Sequence, residues 1–182
     1  MPELIDCRSL TERQPGMRKV RVLFVCTGNI CRSPMAEVVF RRYAEQAGLV
    51  RSLTVDSAGT HDFNVGQEPD DRARSVAASR GYEMKGMRAR QVRRDDFKYF
   101  DYLLAMDEGN LAVLRELCPS NYLRKLGLFM QYSAKFPGLE IPDPYHRGSA
   151  SFERVLDLVE NAAIGLLDHI RRELTAETAN GQ

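Results

Sequence analysis

"KVRVLFVCTGNICRSPMAE", residues 19–37, decides the fold. Residues 19–26 are a β-branched, apolar run of the kind that fills a strand buried on both faces. Ser33 then suits the N-cap of a helix and Pro34 its first position. Met35, Val38, Val39 and Tyr43 fall on one face of that helix, and Gly48 marks its end. Between strand and helix lies "CTGNICRS", residues 26–33. There the free N–H groups of the loop and first helical turn converge and favour a negative charge. Gly28 can take a positive φ, and Asn29 is the next most tolerant residue for it. Arg32 can fork onto two oxygens of a tetrahedral oxyanion. The same field favours a thiolate at Cys26, a nucleophile at neutral pH, to which Ser33 can hydrogen-bond.

The rest of the chain repeats the strand–helix alternation. "LTVDSAG" (53–59) reads as a second strand, and Pro69 opens a helix that Gly81 stops. "FDYLLAM" (100–106) is a third strand, "DEGNLAVLREL" (107–117) a third helix and "LGLFM" (126–130) a short fourth strand. A long loop with three prolines follows, and a last amphipathic helix spans 151–174, with Phe152, Val155, Val159, Leu166 and Ile170 on its inner face. This order predicts an α/β fold: a single-domain, doubly wound, four-stranded parallel sheet with helices on both faces and a phosphate-binding loop after strand one. Ligands in such folds sit beyond the carboxyl ends of the strands, where "CTGNICRS" falls. The domain is expected over 19–174, between a flexible arm at 1–18 and a polar tail at 175–182.

Other readings of the loop fail on spacing. An iron–sulfur pattern that begins C-x4-C needs a third cysteine where Pro34 stands. The three histidines (His61, His146, His169) never repeat at a ligand spacing, so no metal is expected. There is no Gly-Lys-Ser/Thr and no G-x-G-x-x-G, so the loop is not a nucleotide site.

The 182 residues, 43% hydrophobic, suffice for one core, and a formal net charge of +1 argues against a nucleic-acid binder. Arginine outnumbers lysine 21 to 5 but is interleaved with acids, so "RRDD" (93–96) and "RRE" (171–173) read as solvated mixed-sign faces. No apolar run is long enough to span a membrane, and residues 1–19 lack the apolar core of a secretory signal. With four scattered cysteines, a reducing cytoplasm is the expectation, and the chain is expected to be a monomer or weak dimer.

"VCTGNICRSPMAE", together with "DSAGTHDFNVGQEPDDRA", "AMDEGNL" and "DPY" (143–145), resembles the low-molecular-weight protein tyrosine phosphatases over residues 20–172. The resemblance implies hydrolysis of phosphotyrosine proteins through a phosphocysteine at Cys26, with no cofactor. Arg32 is then the phosphate clamp, and Thr27, Gly28, Asn29, Ile30, Cys31 and Ser33 complete the phosphate loop. Asp143, between Pro142 and Pro144, becomes the general acid and then the base. Phe63 and Tyr145 become aromatic walls, although ordinary packing explains either residue. The family often has tryptophan or tyrosine at Phe63 and a second tyrosine at His146, departures that bear on substrate preference. Asp107 resembles a scaffold position, which helix capping explains almost as well. Cys31 is expected to trap an oxidised Cys26 as a disulfide.

Arsenate reductases of this fold use further cysteines between the loop and the third helix, where this chain has none. A protein arginine phosphatase branch carries threonine at Ile30, so Ile30 favours phosphotyrosine. A catalytically inactive phosphopeptide-binding module is disfavoured because Cys26, Arg32 and Asp143 are all present. Bacterial members often oppose tyrosine kinases that control exopolysaccharide export, and the resemblance implies a partner of that kind.

Overall fold

The computed structural model describes residues 19–180. Four strands, β1 (Val20–Cys26), β2 (Leu53–Gly59), β3 (Tyr102–Ala105) and β4 (Leu126–Leu128), form one sheet in the order β2-β1-β3-β4. Every pairing is parallel, with Val22 opposite both Val55 and Tyr102. Central β1 needs apolar residues on both faces, which explains its uninterrupted hydrophobic run. Val22 and Phe24 face a core completed by α1 (Arg32–Gln46), α2 (Asp71–Ser79) and α5 (Ser149–Asn180). Leu23 and Val25 face a smaller core under α3 (Arg94–Tyr99) and α4 (Glu108–Leu117). The sheet is therefore doubly wound, as expected, and the carboxyl ends of β1, β2 and β3 open onto one edge.

Three local readings need correction. The "RRDD" segment is not merely a solvated face: residues 94–99 form α3, too short to show a periodic pattern. Asp96 accepts the Arg93 N–H at 2.7 Å and pairs with Arg90 at 2.9 Å, while Phe97 is buried. The fourth strand ends at Leu128, and Phe129–Tyr132 turn as a short 3₁₀ helix against α5. The last helix continues to Asn180 rather than stopping at Leu174. The expected arm at 1–18 and the final residues 181–182 lie outside the described residues.

The 3₁₀ turn reaches α5 through a glycine. A Cβ placed on Gly165 lies 1.8 Å from the Tyr132 carbonyl oxygen, so backbone packs directly on helix at that point. Relieving such an overlap means moving main chain, not a side-chain tip. Gly165→Ala is expected to destabilise the fold by about 3 kcal/mol or more, read as a lowered urea midpoint. An unchanged midpoint would show that the turn is free to move.

Candidate active site

Cys26 ends β1, and the chain turns through Thr27–Cys31 before α1 begins at Arg32. Two neighbouring segments hold this loop by backbone bonds: Thr60 N–H donates to Cys26 O at 2.8 Å, and Asp70 N–H to Ile30 O at 2.8 Å. Among the described residues, the N–H groups of Gly28, Ile30 and Cys31 make no hydrogen bond within the chain. Unpaired donors at a helix start are matched by water or by an anion.

Of the two residues the sequence offered for a positive φ, Asn29 takes it, at 54°, and Gly28 does not. Asn29 is buried, and its side chain accounts for the conformation. Nδ2 donates to Ser33 Oγ and Ser57 Oγ, both at 2.9 Å, and Oδ1 accepts the Arg90 N–H at 2.9 Å. Three bonds to fixed partners outweigh the roughly 1–2 kcal/mol of a left-handed residue. Gly28 serves a different need, because a Cβ there meets Asn64 Nδ2 at 2.4 Å. Asn64 donates to Gly28 O at 3.3 Å and lines the cleft.

Ser33 is not the N-cap. Cys31 occupies that position without a side-chain bond, and the Ser33 hydroxyl turns inward to Cys26 Sγ at 3.1 Å. Asn29 N–H donates to the same sulfur at 3.3 Å. The sulfur is thus held in place by one backbone N–H and one hydroxyl.

Arg32 is 2% exposed. Its Nη1 donates to Asp107 Oδ2 and to Ile141 O at 3.1 Å, and its Nη2 to Thr27 Oγ1 at 3.3 Å and Asp143 Oδ2 at 3.0 Å. Burial pulls the guanidinium down, but Cys26, the hydrogen bond donated to Asp107 and the charge of Asp143 more than offset it, so the proton is held above the ordinary range. Asp107 serves both purposes that the sequence left open: Oδ1 caps α4 through Asn110 N–H at 2.7 Å while Oδ2 holds Arg32. Asp143 is half exposed, and its Oδ1 accepts the Tyr145 N–H at 3.0 Å, which tightens the turn between the two prolines.

The Cys26 sulfur, the buried Arg32 guanidinium and the half-exposed Asp143 carboxylate thus share one cleft of about 250 Å³, lined also by Phe63, Asn64, Tyr145 and His146. The family model of the low molecular weight phosphotyrosine protein phosphatases matches residues 21–176. The chain belongs to that family. A low molecular weight protein-tyrosine-phosphatase of Streptomyces coelicolor is 43% identical over 162 residues, 87% of this chain and 98% of its own. YfkJ of Bacillus subtilis, described in the same words, is 37% identical over 154 residues, 85% of this chain and 97% of its own. A crystal structure of a protein tyrosine phosphatase from Entamoeba histolytica, with Hepes in the active site, aligns with a TM-score of 0.83 at 39% identity. That alignment covers 85% of this chain and 99% of the Entamoeba chain. The chain is therefore a phosphatase of the low-molecular-weight class.

In this phosphatase the two candidate walls are surface residues, not core. Phe63 is 69% exposed and stacks on His61, with ring centroids 4.9 Å apart. Tyr145 is 45% exposed and meets the His146 ring edge-on at 4.9 Å, with the Arg72 guanidinium 5.6 Å from its ring centre. Cys31 is buried in the cleft wall, and burial, followed by the charge of Asp70, pushes its thiol far up, so it stays protonated. Among the described residues no helix is long and apolar enough to cross a membrane.

Sequence reasoning missed Asn64, Ser57 and Arg90, and it did not bring Glu37 to the site. Their roles depend on contacts between segments distant in sequence, so no local spacing signals them. Asp107→Asn keeps a competent cap but withdraws the carboxylate from Arg32. The expected result is about tenfold weaker binding of inorganic phosphate together with a loss of about 3 kcal/mol of folding stability from the buried guanidinium left short of a partner, measured by competition and urea titration. An equal loss in an Arg32→Lys background would show that Asp107 acts elsewhere.

Proposed function

We propose that this phosphatase hydrolyses phosphotyrosine in proteins through a phosphocysteine formed at Cys26. The observation that carries the reading is Cys26 Sγ, held by Asn29 N–H and Ser33 Oγ in a loop whose remaining N–H groups are unpaired and whose buried cation is Arg32. Arg32 Nη2 is shared between Thr27 and Asp143. An arriving phosphoryl group displaces the Asp143 carboxylate from Nη2, while Asp107 and Ile141 O keep Nη1 in place. Binding therefore frees the carboxyl group at the moment that a leaving oxygen needs a proton.

Cys26 Sγ attacks phosphorus, the P–O bond to the tyrosyl oxygen breaks, and Asp143, having taken a proton from solvent once off Arg32, gives that oxygen its proton. Arg32 and the loop N–H groups neutralise the equatorial oxygens. The resulting Asp143 carboxylate takes a proton from water, which attacks the phosphocysteine and expels Sγ as a thiolate stabilised by Ser33. Phe63 and Tyr145, flat and exposed on the cleft rim, suit a planar aryl ring. Ile30, also in the cleft lining, offers no hydroxyl for a guanidinium-linked phosphate, which favours phosphotyrosine over phosphoarginine. Cys31 is the proposed partner for an oxidised Cys26. Among phosphotyrosine proteins, a bacterial tyrosine kinase that governs exopolysaccharide export is the partner class the family suggests, and a cytoplasmic location would follow from it.

Steady-state hydrolysis of phosphotyrosine, phosphoarginine and phosphoserine peptides in EDTA tests the reading. Wild type is expected to turn over phosphotyrosine, Cys26→Ser to be inert, and Asp143→Asn to lose on the order of a hundredfold in kcat for an unactivated aryl phosphate. The Asp143→Asn loss shrinks for a p-nitrophenyl ester, whose leaving group needs less protonation. Preference for phosphoarginine would retain the loop chemistry and overturn the argument from Ile30. Phosphate binding without any turnover would leave a binding module.

A further inference from the structure

A buried carboxylate stands at the far end of the hydrogen-bond chain that reaches Cys26. Glu37 lies on α1, is 6% exposed, and is not among the residues lining the cleft. Its Oε2 accepts from Ser57 Oγ at 2.6 Å, and Ser57 Oγ in turn accepts from Asn29 Nδ2 at 2.9 Å. The second Asn29 amide proton goes to Ser33 Oγ at 2.9 Å, and the Ser33 hydroxyl meets Cys26 Sγ at 3.1 Å. The other carboxylate oxygen, Oε1, takes Arg41 at 2.7 Å.

The ends of this chain dictate its direction. An ionised carboxylate can only accept, so Ser57 donates to it and turns lone pairs toward Asn29. The Arg90 N–H on Asn29 Oδ1 keeps the Asn29 NH₂ pointed at both serines. Ser33 oxygen therefore accepts, and its single proton is left for Cys26 Sγ or for Ala58 O at 3.2 Å.

We propose that Glu37 is a positioning residue, acting through Ser57, Asn29 and Ser33 to hold a hydroxyl donor on Cys26 Sγ. The inference rests on Cys26 being the nucleophile. Only a carboxylate suits the place, because Arg41 and Ser57 both donate and an amide must turn its own N–H toward one of them.

The groups around Glu37 are few. Asp56 and Ser57 approach from β2, Arg41 from its own helix, and Arg88 from the segment after α2, around a pocket of about 80 Å³ behind the loop. Arg88 is paired with Glu68, and Asp56 with Arg90, so Arg41 is the one cation in contact with Glu37 among the described residues. Burial raises Glu37 above the ordinary 4.5; the Ser57 hydrogen bond and Arg41 lower it without cancelling the rise, and Asp56 adds to it. A raised carboxylate contributes stability that is complete below its unfolded value and is lost as pH rises through its folded value. Ionised Glu37 therefore weighs against the fold at neutral pH, the opposite of what a purely structural anchor does.

That opposition makes the test. Glu37→Gln, Ser57→Ala and the double variant are compared with wild type in kcat and KM on a phosphotyrosine peptide, in urea midpoint, and in the rate at which iodoacetamide alkylates Cys26. Glu37→Gln is expected to lower kcat about tenfold with KM within about twofold, and to slow alkylation several-fold at neutral pH. Its urea midpoint at pH 7 should stay close to that of wild type, because relief of the buried charge offsets the lost Arg41 pair and the amide N–H left facing a donor. The double variant should be no slower than Ser57→Ala alone, as one shared path requires. An unchanged kcat, effects that multiply in the double variant, or a kcat loss matched by a lower urea midpoint each overturns the proposal. Should wild type fail to hydrolyse the peptide, the phosphotyrosine reading falls, and alkylation alone still decides whether Glu37 acts on Cys26.

Discussion

The buried guanidinium of Arg32 is the constraint on which the site depends. Removing such a charge from water costs several kcal/mol unless partners surround it. The partners come from two separate parts of the chain: Asp107 after β3, and the Ile141 carbonyl with Asp143 in the loop before α5. Backbone bonds reinforce the meeting, since Met106 N–H donates to Val25 O at 3.1 Å and Ile141 N–H to Met106 O at 2.9 Å. The acid loop is thus stitched to the end of β3, which is stitched to the end of β1. Parallel pairing is what makes this possible, because it brings the carboxyl ends of neighbouring strands to one edge.

Asn29 joins two charge systems with different tasks. On the cleft side, Arg32, the loop N–H groups and Cys26 form a cradle for negative charge. Behind it lie Glu37, Ser57 and Arg90, and the Asn29 side chain touches the second and third of these directly. A left-handed backbone at a residue other than glycine is unfavourable, and it persists here because side-chain bonds over-determine it. The rear system therefore shapes the front without contributing an atom to it. The hydroxyl on Cys26 and the N–H on Cys26 both come from residues that this rear system holds.

Local chemistry was legible in the sequence wherever it was carried by contiguous residues. Cys26, Arg32 and the strand–loop–helix turn are separated by a few residues, so their geometry follows from backbone conformation alone. Asp143 was legible only through the family resemblance, because an aspartate between prolines otherwise reads as a turn. The α3 helix was invisible: six residues make fewer than two turns, and its one buried side chain, Phe97, shows no period. Ser33 suited an N-cap by residue type, yet a sulfur and an amide on the inner side offered it better partners than the helix start did. The path from Glu37 to Asn29 runs through Ser57 on a different strand, so only tertiary structure could reveal it.

Rate and preference are carried by differently built parts of the cleft. Cys26, Arg32 and Asn29 are buried and multiply bonded, so a change at any of them disturbs several partners at once. Phe63 and Tyr145 stand exposed on loops, each steadied mainly by a histidine ring and, for Tyr145, by Arg72. Contacts of that kind contribute about 1 kcal/mol each, enough to rank substrates but too little to restrain the loop beneath. The two parts meet at the start of α2, where Asp70 N–H fastens Ile30 O while Arg72 leans on Tyr145, and again where Asn64 donates to Gly28 O and Tyr145 N–H to Asp143. Substitutions on the rim can therefore alter which aryl phosphate is preferred while Cys26, Arg32 and Asn29 keep their places.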